Sequence, residues 1–191
     1  MVLIFSKNDS PRLHYALKVF FSALLGMSWK MVHAKDQIPV GDVSIINYSD
    51  EHFPGSFQIR PSGLLSEKGI REINPQVFIW SGIPVFFGVK GKSDIPFDPL
   101  SVVFYLVSRY EEYLDHEKDN HDRFIPAASM AYQYDFLDLP LANVIAERVG
   151  NILNDTFKDI KIQFPAYSFI PTVDVDIAFA HHGKGFFRAS A

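Results

Sequence analysis

Apolar and polar positions fall into three helix-spaced stripes and a set of short strand-like runs. Val2-Leu-Ile-Phe5 is a continuous apolar run of the buried-strand type, and Ser10-Pro11 after it supplies an N-cap and a proline at the first helical position. Leu13, Leu17, Phe20, Phe21, Leu24 and Leu25 then recur at helical spacing, with Gly26 where a C-terminal cap belongs. Residues 29–32 read as a second strand. Residues 2–32 therefore predict β-α-β, with the pairing left open between parallel and antiparallel.

The middle of the chain reads as β-rich. Segments 42–48 and 55–60 are strand-like and separated by a polar, proline-containing loop, and Pro61-Ser-Gly63 breaks the second. Segments 76–80 and 83–87 flank Ser81-Gly82, which predicts a hairpin with Pro84 on an edge.

Asp98-Pro99 repeats the cap-plus-proline start. One stripe runs through Leu100, Val103, Phe104, Val107, Tyr110 and Leu114; Val102, Tyr105, Leu106, Arg109 and Tyr113 populate the opposite side. A helix apolar on two sides is either central in its domain or shared between two packed bodies, and both cases require partners for Arg109 and Glu112. A third helix is expected after Asp138-Leu-Pro140, with Leu141, Val144, Ile145, Val149, Ile152, Leu153 and Phe157 opposed by Glu147, Arg148, Asn151 and Lys158. The expected fold is α/β: a mixed β-sheet with about three long helices over residues 1–165, ending in a connection at 159–165.

Composition narrows the classes. At 191 residues, 48% hydrophobic and 21% charged, with 18 Phe and 8 Tyr, the chain can bury a thick aromatic core. A net charge of −4 with scattered basic residues argues against a nucleic-acid surface. The absence of cysteine excludes disulfides, thiolate metal sites and a cysteine nucleophile, and fits a reducing compartment. Residues 1–10 lack a basic leader pattern and no run reaches the length of a membrane span, so the expected location is cytoplasmic.

Few motifs carry chemistry. The connection Ser6-Lys-Asn-Asp-Ser10 has no glycine, so neither a dinucleotide fingerprint nor a P-loop is present. Nucleophile-elbow, zincin and kinase signatures are absent as well. Asp115, Glu117 and Asp119 have the first spacings of a calcium loop, but Asn120 replaces the turn glycine and Pro126 stands where a glutamate is required. That segment reads as a solvated loop. There remains Ser168-Phe-Ile-Pro-Thr-Val-Asp-Val-Asp176, a strand-like run ending in two acids. On a strand, Asp174 and Asp176 share one face, and two adjacent carboxylates call for a cation or a shared proton. Equally, the acids can end the strand, with Asp176 serving as the N-cap of a helix from Ile177 onward.

Pro171-Thr-Val-Asp-Val-Asp176 resembles the first motif of polysaccharide deacetylases of the carbohydrate esterase four type. Pro61-Ser-Gly-Leu-Leu65, Asp94-Ile-Pro-Phe-Asp-Pro99, Ser108-Arg-Tyr-Glu-Glu-Tyr113 and Gly183-Lys-Gly-Phe-Phe-Arg188 are similar to bacterial proteins in which an α/β domain precedes such a barrel. The resemblance implies residues 1–165 as an accessory domain and 166–191 as the first strand of a truncated (β/α) deacetylase barrel. It also implies Asp174 as general base and Asp176 as ligand of a divalent metal, commonly zinc, although Val175 between the acids departs from the family pattern. The complete protein would remove N-acetyl groups from an envelope or surface polysaccharide, with the downstream barrel as partner of the accessory domain. The family's further His-x-x-x-His ligands do not occur here, and adjacent His181 and His182 diverge by about 100° on a helix. The chain as written is expected to bind metal weakly and to catalyse nothing. A non-enzymatic binding or scaffold domain, whose acid-ended strand completes its own sheet, is the competing expectation.

Overall fold

The computed structural model describes residues 1–162, 164 and 168–174. Four parallel strands, β1 (Val2–Phe5), β2 (Trp29–Val32), β3 (Ile45–Asn47) and β4 (Ser56–Gln58), form the main sheet in the order β2-β1-β3-β4. Leu3 lies opposite both Lys30 and Ile45, and Ile46 opposite Phe57. The central strand is the most apolar one. Its side chains alternate between two covered faces: Val2 and Ile4 join the main core, while Phe5 meets Phe53 edge-on at 5.3 Å.

Parallel and antiparallel pairings are segregated rather than mixed in one sheet. The predicted hairpin is a separate ribbon, β5 (Phe78–Trp80) against β6 (Ile83–Val85). Ser81 and Gly82 both have positive φ, 49° and 79°, the backbone that a two-residue hairpin turn demands.

Helix α1 (Pro11–Leu17) starts as expected, with the Ser10 hydroxyl accepting from Leu13 N at 3.1 Å. It continues as a π-helical stretch over Lys18–Leu24 that carries the fully buried Phe20 and Phe21. Helix α2 (Pro99–Val107) is buried from Pro99 to Tyr105 and packs against α1 and a later helix, so its two apolar sides serve one core. The stripe drawn to Leu114 is interrupted: Arg109 takes φ 54°, and a 3-10 turn at Tyr110–Tyr113 follows. This break turns Tyr110 inward, where it stacks on Tyr105 at 5.3 Å, and leaves Arg109 to pair with Glu112 outside. A short α3 (Met130–Gln133) precedes α4 (Leu141–Thr156), whose Gly150 admits Leu25 and Phe164 to 2.9 Å of where a Cβ would stand. The described α-helices therefore number four.

The strand-like run near the end finds no place in this sheet. Residues 168–174 form no strand, and Phe169, Ile170 and Val173 are 76%, 78% and 84% exposed. One reason is that the outer side of β4 is already used: Gln58 N donates to Asp94 Oδ2 (2.6 Å) and Asp94 N to Gln58 O (2.9 Å). Residues 175–191, with Asp176, His181 and His182, lie outside the described residues. No helix among the described residues is long and apolar enough to cross a membrane.

Candidate functional site

From β1 the chain leaves to β2 on one side, whereas β3 and β4 lie on the other, so the β1/β3 junction is where the order of the parallel sheet reverses. Loops that leave the carboxyl ends of strands diverge at such a point and open a crevice. Here the crevice measures about 550 Å³. Its walls are Ser6–Lys7–Asn8 after β1, Tyr48 to Glu51 after β3, and Pro61, Ser62, Gly63, Leu65 and Ser66 after β4.

Buried amides hold the second wall. Asn47 and Gln58 sit in register on β3 and β4, and each offers both a donor and an acceptor. Asn47 Nδ2 donates to Gln58 Oε1 (2.7 Å) and to Glu51 O (2.6 Å), Gln58 Nε2 donates to Ser49 O (2.6 Å), and Ser49 Oγ donates to Asn47 Oδ1 (2.6 Å). The third wall is latched to α1. Ser10 Oγ donates to Leu65 O, and the Arg12 guanidinium donates to Leu64 O and Gly69 O while lying over the rings of Phe104 and Tyr110.

Asp98 anchors the base of the crevice. The sequence marks it as an N-cap, which it is, since Oδ1 accepts from Ser101 N at 3.1 Å. Its burial is the property that the sequence leaves unmarked. Fully buried, it accepts at Oδ2 from Tyr48 Oη (2.8 Å), Ser62 N (2.8 Å), Ser62 Oγ (3.0 Å) and Ser101 Oγ (2.6 Å). A carboxylate so fully occupied is a structural anchor for Ser62 rather than a base free to take its proton.

Burial, and then the charge and hydrogen bond of Asp98, push the Tyr48 phenol well above its ordinary range. Burial first, then the charges of Glu111 and Tyr110, raise Tyr105 as well. A phenol raised on folding stabilises the fold fully below the unfolded value, near pH 10, and that stability is lost as pH climbs toward the folded value. Two of the eight tyrosines should therefore resist a spectrophotometric titration at 295 nm until the chain unfolds, and Tyr48→Phe should soften the fall in stability above pH 10. Eight phenols titrating together near pH 10 in a folded protein would contradict this.

Charges around the crevice are matched. Lys7 and Lys35 both reach the Glu51 carboxylate, holding it below the usual range, and Arg60 pairs with Asp50 at 2.9 Å. In sequence residues 6–10 read as a connection, Tyr48 as the end of a strand, and Pro61-Ser-Gly63 as a strand breaker within a segment that carries part of the resemblance, none of them as a site; the signal that could have found them is the gathering of polar residues directly after apolar strands.

The residues singled out from sequence lie elsewhere. Asp174 is exposed in the unpaired 168–174 run, and Asp176 lies outside the described residues, so the two are not seen together. Asp119 accepts from His121 N, Arg123 N and the Arg123 guanidinium, closing a surface turn rather than a calcium loop. Among the described residues no three His, Asp or Glu side chains are grouped to hold a metal ion.

A family model, DUF7033, described as a family of unknown function, matches residues 2–158. The chain belongs to DUF7033. Every wall of the crevice, with Asp98 beneath it, falls inside the matched DUF7033 span, whereas Asp174 falls outside it. No curated protein and no solved structure matches the chain.

Proposed function

We propose that the DUF7033 domain of this chain is the accessory domain of a polysaccharide-deacetylase-like hydrolase. In this reading the run ending in Asp174 and Asp176 belongs to a catalytic barrel of the complete protein, which removes N-acetyl groups from an envelope or surface polysaccharide in or from the cytoplasm. Asp174 is assigned as the general base and Asp176 as a ligand of a divalent metal, zinc by resemblance. The supporting observation is the exposure of Phe169, Ile170 and Val173 in a run that the domain's own sheet does not take up. Apolar side chains in sequence, each more than three-quarters exposed, call for a further surface to cover them.

The test uses a protein that carries the proposed barrel together with this domain. Acetate release from an N-acetylated glycan should fall by about 10²–10⁴-fold on Asp174→Asn, with the circular dichroism spectrum unchanged. Unchanged release from a folded variant refutes the assignment of the base, and a reading frame without a downstream His-x-x-x-His refutes the deacetylase.

A second reading, a binding domain with no catalytic partner, is favoured by one observation. The crevice is complete within the DUF7033 span and needs neither acid.

A further inference from the structure

We propose that the crevice between β1 and β3 binds a small neutral polyhydroxylated ligand, a sugar or cyclic polyol, as a site separate from Asp174 and Asp176. The assignment rests on the crevice alone and does not depend on the deacetylase reading.

Location and size come first. A ligand of an open parallel sheet binds beyond the carboxyl ends of its strands at the point where strand order reverses, and this crevice occupies that point. Its volume of about 550 Å³ accommodates one or two sugar rings, well within the range of small-molecule sites.

Charge decides against an ionic ligand. Each charged side chain on the walls already faces an opposite charge: Lys7 meets Glu51, Glu51 also meets Lys35, and Asp50 meets Arg60. An anion would gain Lys7 only by opposing Asp50 and Glu51, and a cation would gain the carboxylates only by opposing Lys7. The buried Asp98 beneath adds a further negative charge against any phosphate or carboxylate. Neither sign finds a surplus.

The walls instead offer donors beside acceptors. The Ser62 and Ser66 hydroxyls give their protons to Asp98 Oδ2 and Gly63 O and keep oxygen lone pairs for an incoming donor, Asp50 and Glu51 add carboxylate lone pairs, and the Lys7 ammonium, with one proton on Glu51, keeps two to donate. A hydroxyl of a diol donates one bond and accepts others, so neighbouring hydroxyls can bridge a carboxylate on one side and the Lys7 ammonium on the other. Pro61 supplies an apolar patch for the C–H face of a ring. Pre-organisation completes the case: Asn47 and Gln58 fix one wall and Asp98 fixes Ser62, so little ordering is left to be done on binding.

The test is a ¹H–¹⁵N chemical-shift titration of the 191-residue chain with glucose, N-acetylglucosamine and myo-inositol, each to about 50 mM, against glucose 6-phosphate and glucosamine as charged counterparts. At least one neutral compound should shift amides of residues 6–8, 48–51 and 61–66 with saturation, and both charged compounds should bind about tenfold or more weakly than it does. Two variants localise the effect. Asp50→Ala, at an exposed side chain, should weaken binding about tenfold without lowering Tm. Ser66→Trp, at an exposed position on the rim, should fill the crevice and abolish the shifts. The proposal is overturned if no neutral compound shifts these amides, if the charged counterparts bind as tightly, or if both variants leave the titration unchanged. A failure of acetate release would leave these shifts intact, and absent shifts would leave acetate release intact.

Discussion

Asp98→Ala should lower the free energy of unfolding by about 4 kcal/mol, summing a lost helix cap with donors left unpaired in the interior. The carboxylate caps α2 through Ser101 N and accepts from the Tyr48, Ser62 and Ser101 hydroxyls and from Ser62 N. Alanine returns none of these bonds, and the Tyr48 and Ser101 hydroxyls that it strands are buried. Asp98→Asn should cost less, about 2 kcal/mol, because one oxygen remains as an acceptor while the new NH₂ faces donors. Urea unfolding measures both. The midpoint should fall with the slope unchanged, and a loss below about 1 kcal/mol for alanine would mean that the network is not held by its carboxylate. Combining Asp98→Ala with Tyr48→Phe should cost less than the sum of the two, since the second change removes a donor that the first has stranded.

Asn47→Ala should cost about 3 kcal/mol, from two buried hydrogen bonds and one part-buried one, with Gln58 Oε1 left without its donor. The effect should also be local. Glu51 O and Ser49 Oγ lose the side chain that folds residues 48–51 back over the strand ends, so amide hydrogen exchange there should accelerate more than at β1. Asn47→Asp should be at least as damaging, because a carboxylate would then face Gln58 Oε1 and Glu51 O, neither of which can donate. Exchange rates at 48–51 that do not change would separate this loop from the buried amides.

The contrast between these residues and the helices shows where the sequence is informative. Ser10-Pro11 and Asp98-Pro99 announce their helices because capping is a contact between residues a few positions apart, and both caps are present in the structure. The Ser81-Gly82 turn is legible for the same local reason. Strand pairing is not, because it joins Ile4 to Ile46 across many residues, and the segregation of parallel and antiparallel strands into two sheets left no mark on any one segment. Arg109 breaks a stripe that periodicity would carry on to Leu114, because burying Tyr110 against Tyr105 outweighs the cost of left-handed backbone. Residues 168–174 show the opposite error of scale: an alternation that suits a strand but meets no partner among the described strands. The crevice is the least legible part. Asn47, Gln58 and Asp98 are unremarkable one at a time, and only the reversal of strand order brings their loops together.

The position of β1 also sets an order of assembly. Val2–Phe5 precedes the other three strands of the sheet in chain order and is paired on both sides, yet Trp29–Val32 must exist before it can pair on one side and Ile45–Asn47 before it can pair on the other. Its main-core residues, Val2 and Ile4, belong to one core cluster that also draws on α2 and α4, the latter ending at Thr156. During synthesis this apolar strand therefore waits for partners made later in the chain, the condition under which nascent chains stick to one another and holdase chaperones engage them. Nascent chains halted before α4, which lack part of the shared core, should sediment as aggregates in larger share than chains that have passed Thr156.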